Sequence, residues 1–134
     1  MTPTVTPSQK FIRTRRGIVY ALAGLLIFYH LNTIYDLYFD AQPDTFGTLT
    51  DLQSFLRIAV VLSLTSVVFG ARLGLLGMWL SIIALVLTQY IDHYGPEPSA
   101  HTLARSGFSY LRGFIVPTII TLIIPRTAKS TNGD

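Results

Sequence analysis

Apolar residues fill positions 55–92 almost without interruption, and only Arg57, Arg72 and Asp92 carry formal charge there. As one helix, at about 1.5 Å per residue, this stretch would reach roughly twice the ~30 Å hydrocarbon core of a bilayer. The pattern breaks at Gly70-Ala71-Arg72-Leu73-Gly74, where two glycines flank a lone arginine. That combination suits a tight turn at a membrane face. The stretch therefore predicts a transmembrane helical hairpin, and an apolar run on each side predicts one more spanning helix.

Taken in order, residues 1–9 read as a flexible polar lead or short cap with Pro3 and Pro7, followed by the basic cluster Lys10, Arg13, Arg15 and Arg16. Spans are expected at about 17–39, 52–71, 73–94 and 103–124. Thr50-x-x-Gln53 fits a capping box at the start of the second. Gly95-Pro96-Glu97-Pro98 is a strong stop after the third. Ser99 is a candidate cap for the fourth, whose apolar part is 108–124. Pro117 lies inside it and is expected to kink it. The first apolar run ends in Tyr29-His30-Leu31-Asn32 with no small-x-small cleavage site, so it reads as an uncleaved span.

Composition agrees. Half of the 134 residues are hydrophobic and 13% are charged, against about 25% charged in an ordinary soluble domain; mean hydropathy is +0.48. There is no cysteine, which removes disulfides, thiolate nucleophiles, Cys-ligated zinc and Fe–S clusters. In the terminal segments and short turns, Lys and Arg lie in the N-terminal cluster, at Arg72, and at Arg126 and Lys129. The 36–54 segment holds Asp36, Asp40, Asp44 and Asp51 with no Lys or Arg. The positive-inside rule then places both termini in the cytoplasm. The expected fold is an all-α integral membrane protein, four transmembrane helices in a small antiparallel bundle, N-in and C-in, in a bacterial inner membrane or its equivalent. The basic N-terminus is too short and too close to the membrane to suggest nucleic-acid binding.

Small residues mark expected helix contacts, because helices in lipid associate where backbones can approach closely. Gly70 and Gly74 are four apart, and Gly77, Ser81, Ala84, Thr88 and Asp92 follow one stripe on the third span. Ser63 and Ser66 lie on the second; Gly17, Ala21 and Gly24 on the first. These stripes are expected to pack the four helices against one another, or to dock a neighbouring subunit.

In this topology the unusual polar residues reach one level. Asp36 and Asp40 end the first span, Arg57 lies in the second, Asp92 and His93 end the third, and Arg105 and Arg112 belong to the fourth. Charges in a membrane are costly and usually paired. Arg57 and Arg112 are expected to pair with Asp36, Asp40 or Asp92, or to reach toward headgroups. The sharper reading is a binding site for a quinone, a proton path or an anionic headgroup. Asp40, Asp92, His93 and His101 are ligand types without ligand spacing, so no metal site is expected. His30, well inside the first span, is a candidate ligand for haem or chlorophyll. A bis-histidine site would need a partner at its depth, and a hydrogen bond to a neighbouring helix is the simpler expectation. Tyr35, Tyr38, Phe39, Tyr90, Tyr94, Phe108 and Tyr110 fit an interfacial aromatic belt.

No phosphate loop, nucleophile elbow or paired catalytic carboxylate is present, and no enzymatic role is expected. The four short spans with an arginine turn between the second and third are loosely similar to DoxX-type small membrane proteins. That likeness of hydrophobic pattern around 70–90 transfers no residue role. Two functions remain. One is an accessory or scaffold subunit of a larger respiratory, photosynthetic or transport complex in the bilayer. The alternative is a homo-oligomeric transporter or channel with a polar site at the outer membrane face. A membrane enzyme acting on quinone or lipid is a distant third.

Overall fold

A computed structural model describes residues 7–40, 47–96, 98 and 105–124. The described residues are helical apart from short turns and ends, and none of them forms a strand. Helix α1 runs Pro7–Tyr35 and continues as one π-helical turn, Asp36–Asp40. Helix α2 is Thr48–Val68 and α3 is Arg72–Tyr94. A 3-10 helix, Gly107–Phe114, leads directly into α4, Ile115–Ile123. Three helical segments are long and apolar enough to cross a membrane, and Gly107–Ile123 is shorter.

The elements run antiparallel. Residues of early α1, of the α2–α3 turn and of the end of α4 surround one cavity at one end. Late α1, early α2, late α3 and the 3-10 helix meet at the other. Between them lies an apolar core that includes Val19, Ala23, Val60, Leu64, Met78 and Ile120. Large apolar side chains such as Leu25, Phe28, Leu62, Leu76, Leu80 and Leu122 face outward. An apolar exterior on this scale is compatible with lipid as the surrounding solvent.

The turn between α2 and α3 follows from its glycines. Gly70 has φ +83°, a left-handed conformation open to glycine at little cost. Its N–H donates to the Val67 carbonyl at 2.9 Å, and the Ala71 N–H donates to Ser66 at 2.9 Å. This pair is a Schellman closure of α2. Gly70 is therefore a turn residue and not, as its spacing suggested, a packing residue; a side chain there would meet nothing within 4 Å. Gly74 and Gly77 do pack. A Cβ on Gly74 would stand against the α2 backbone, and one on Gly77 would stand 2.6 Å from the Ser63 hydroxyl. Ser81, one turn on, is partly buried. The first-span stripe behaves differently: Gly17, Ala21 and Gly24 are exposed, and neither glycine has a neighbour within 4 Å of an added Cβ. Val19 and Ala23 make that helix's buried face instead.

Three other expectations need correction. Helix α1 begins at Pro7, inside the expected polar lead, because Pro is compatible with a first helical turn and the basic cluster can remain on an exposed helix face. Helix α2 begins after Gly47, whose carbonyl accepts from the N–H groups of Thr50 and Asp51 at 2.9 and 3.1 Å. Thr50 therefore sits in the first turn rather than at the cap, and its carbonyl accepts from the Ser54 hydroxyl at 3.0 Å. The fourth span is not one α-helix kinked at Pro117. The helix type changes at Phe114/Ile115, leaving Pro117 in the first turn of α4, where a missing N–H costs little. Eight residues at about 2.0 Å and nine at about 1.5 Å still reach about 30 Å, so the 3-10 turns lengthen a short segment. Ser99 and His101 lie outside the described residues.

The fourth element is tied to α3 by Trp79, whose indole N–H donates to the Thr121 hydroxyl at 3.0 Å. Thr121 in turn donates to the Pro117 carbonyl at 2.8 Å. The Trp79 and Phe114 rings stack at 6.2 Å.

Candidate functional site: a buried arginine–histidine pocket

Each long helix carries one buried stripe, and all three turn polar at the same end. On α1 the stripe passes Val19 and Ala23 to His30. On α2 it runs back from Val67 through Leu64 and Val60 to Arg57, then to Gln53. On α3 it passes Met78, Ile82 and Leu85, and one turn later reaches the partly buried Gln89. These spacings of three and four residues are those of one helical face. Arg57 and His30 thus occupy core positions. They are buried because their neighbours on the stripe are, and not through any local turn.

Two adjoining chambers open there. The inner one, about 90 Å³, is lined by His30, Arg57, Gln89 and Tyr110 among others. The outer one, about 440 Å³, is lined by Arg112, Val116 and others. Leu26, Tyr29, Arg105, Ser109 and Gly113 border both. The outer chamber lies between late α1 and the fourth element.

Polar satisfaction separates this site from the rest of the bundle. Several serine and threonine hydroxyls elsewhere donate within their own helices: Thr65 to the Val61 carbonyl at 2.8 Å, Ser66 to Leu62 at 3.0 Å, Thr118 to Phe114 at 2.7 Å. Among the described residues, the buried side-chain atoms without a hydrogen-bond partner are His30 Nδ1 and Arg57 Nε. His30 is 5% exposed and Arg57 is 3% exposed. Both border the inner chamber.

The expected arginine–aspartate pairing does not appear at this pocket. Neither Asp36 nor Asp92 lines either chamber. Asp36 lies on an exposed face and accepts from Asn32 Nδ2 at 2.9 Å within its own helix. The Asp40 side chain lies outside the described residues. Asp92 is partly buried, toward Tyr110. His93 also turns to Tyr110, with its Nδ1 3.4 Å from the phenol oxygen. Of the seven residues expected to cluster, Arg57, Arg105 and Arg112 meet in the pocket. Ser109, unremarked in the sequence, joins them because it lies four residues beyond Arg105 and three before Arg112.

His30, the candidate intramembrane ligand, lies against the Arg57 guanidinium's chamber. It shares that chamber's lining with Gln89 and Tyr110, and Nδ1 of His93, the nearest histidine in sequence among the described residues, faces the Tyr110 hydroxyl. Among the described residues, no group of three metal-ligating side chains gathers. The aromatic residues at this end contact one another: Tyr35 stacks on Phe39 at 4.7 Å, and Tyr90 meets Tyr94 and Tyr110.

A larger cavity, about 930 Å³, occupies the opposite end, bordered by Tyr20, Phe69, Leu75, Arg16 and Arg72. Its polar walls belong to the basic end of the chain.

Compared with protein-family models, curated proteins and solved structures, the chain matches none. The likeness to DoxX-type proteins stays one of hydrophobic pattern.

Proposed function

We propose that this is an integral membrane protein that binds the polar head of an amphiphilic molecule in the pocket around Arg57. The observation that carries this reading is the Arg57 guanidinium: 3% exposed, its Nε without a partner, and bordering a chamber. A buried charge without compensation costs several kcal/mol. It persists most simply where a ligand completes it. The outer chamber lies along the seam between α1 and the fourth element, so the ligand enters from the side, as a molecule dissolved in lipid would.

Orientation rests on charge. Lys10, Arg13, Arg15, Arg16 and Arg72 belong to one end of the bundle, and Asp36 and Asp51 to the other. With the basic end cytoplasmic, the pocket sits in the extracytoplasmic half. Arg57 lies nine residues, or about 14 Å, along α2 from Thr48. The test is purification in mild detergent, with mass spectrometry of the extracted small molecules. Wild-type protein should carry one amphiphile class in fixed ratio, absent from Arg57→Gln. The same lipid profile in both proteins would overturn the reading.

A second reading, the accessory subunit, rests on α1. The most apolar window of this first segment is 17% buried, against 33% for α2 and for α3, and its Gly17, Ala21 and Gly24 face is uncovered. A larger membrane subunit seated there would cover it. Co-purification at native expression in fixed stoichiometry supports this role, and a homogeneous protein without partners removes it.

A further inference from the structure

The pocket's lining also says what kind of head it takes. Among the described residues, three arginines, Arg57, Arg105 and Arg112, border the two chambers, and no acidic residue does. Every described lining group that carries a formal charge at neutral pH is thus a cation. An arginine cannot escape burial by losing its proton. Gln89, Tyr29 and Ser109 can donate a hydrogen bond or accept one, but none can neutralise a guanidinium. A quinone carbonyl would satisfy an N–H and still leave the charge uncompensated. An anion does both, and charge-assisted bonds to guanidinium are the stronger kind.

Size narrows the head further. The inner chamber, about 90 Å³, admits a compact group, and the outer one, about 440 Å³, has Leu26 and Val116 in its wall. A carboxylate or a phosphate monoester fits the first. A choline head would bring a further cation to the arginines, and a sugar head brings no charge to offset them. We infer that the pocket takes the compact oxyanion head of a lipid, with Arg57 holding it from inside, Arg105 and Arg112 at the mouth, and the acyl chain leaving along the α1 seam. This rests on the reading of the pocket as an amphiphile site. The bare His30 Nδ1 is the second inner group, available to an oxyanion oxygen or to a water bound with it.

The experiment measures thermal stability of the full chain in a neutral maltoside detergent. The probes are laurate, phosphatidic acid, phosphatidylcholine, decylubiquinone and inorganic phosphate. Laurate or phosphatidic acid should raise the midpoint by several degrees and saturate, while phosphatidylcholine and decylubiquinone should not. An equal shift with inorganic phosphate supports the oxyanion site and identifies a soluble anion, not a lipid, as its source. Arg112→Gln, at an exposed position, should weaken the response about tenfold or more, the loss expected for one charge-assisted bond. Arg13→Gln, at the opposite end, should leave it intact and so separates the pocket from general surface charge. A decylubiquinone shift as large as that of laurate, and unchanged in Arg112→Gln, would overturn the anion inference while leaving an amphiphile site. No response to any of the probes would overturn both.

Discussion

A Cβ added to Gly74 would stand 2.8 Å from the Val67 backbone nitrogen and 2.9 Å from the Ser63 carbonyl oxygen. Those are backbone atoms of α2, and they cannot rotate away. The α2–α3 hairpin closes this tightly because glycine occupies that position, and the closeness brings many atoms into dispersion contact. Gly74→Ala should destabilise the protein by about 1–3 kcal/mol, the usual cost of overpacking. Gly77→Ala should cost less, since its obstacle is the Ser63 hydroxyl, the end of a side chain. Gly24→Ala, with open space around it, should be neutral or stabilising by up to about 1 kcal/mol through helix propensity. Denaturation midpoints of the three variants in one detergent check the order. A Gly74→Ala protein as stable as Gly24→Ala would show that the helices do not approach this closely.

Gly70 carries a different constraint, conformational rather than steric. At φ +83° an L side chain is strained by about 1–2 kcal/mol, and asparagine tolerates the region better. Gly70→Ala should therefore destabilise, and Gly70→Asn should recover most of the loss. Equal midpoints for alanine and asparagine would remove the left-handed turn.

The turn was legible in the sequence because glycine chemistry is local. So was the stop at Gly95-Pro96. The helical pattern of 17–39, 52–71 and 73–94 was legible because apolar runs of that length have few other solutions. The fourth element was not. Whether Gly107, Gly113 and Pro117 kink an α-helix or leave a 3-10 helix before it depends on what α3 offers, including the Trp79 bond to Thr121. The site was half legible. The level of Arg57, Arg105 and Arg112 followed from counting residues. Their separation from Asp36 did not, because pairing depends on each helix's rotation. The stripe from Val60 back to Arg57 held that information, and so did the stripe from Ala23 to His30. Following the buried face of each helix to its polar end would have located the pocket.

The Trp79–Thr121 bond gives the fourth element its own reporter. Trp79 is the single tryptophan of the chain, so its emission reads the seam between α3 and α4 without interference. Thr121→Val removes the acceptor and leaves the indole N–H unpaired. The expected result is a loss of about 1 kcal/mol and a shifted emission maximum. Thr121→Ser keeps the hydroxyl and should behave as wild type. Identical spectra for valine and serine would mean that the bond does not form.

Arg57 provides the sharpest contrast between a structural and a ligand-holding role. If the guanidinium braced the fold, replacing it would destabilise the protein. Its Nε is bare instead, and its stripe neighbours Val60 and Leu64 are fully buried. A leucine there continues the apolar face and removes an uncompensated charge. Arg57→Leu should therefore raise the stability of the ligand-free protein, by on the order of 1–4 kcal/mol, while abolishing its response to an anionic amphiphile. Gain of stability with loss of binding is the pattern of a residue kept for its ligand. A drop of several degrees in Arg57→Leu, measured after thorough delipidation, would mean that the charge is satisfied within the protein, and the pocket would lose its claim to a ligand.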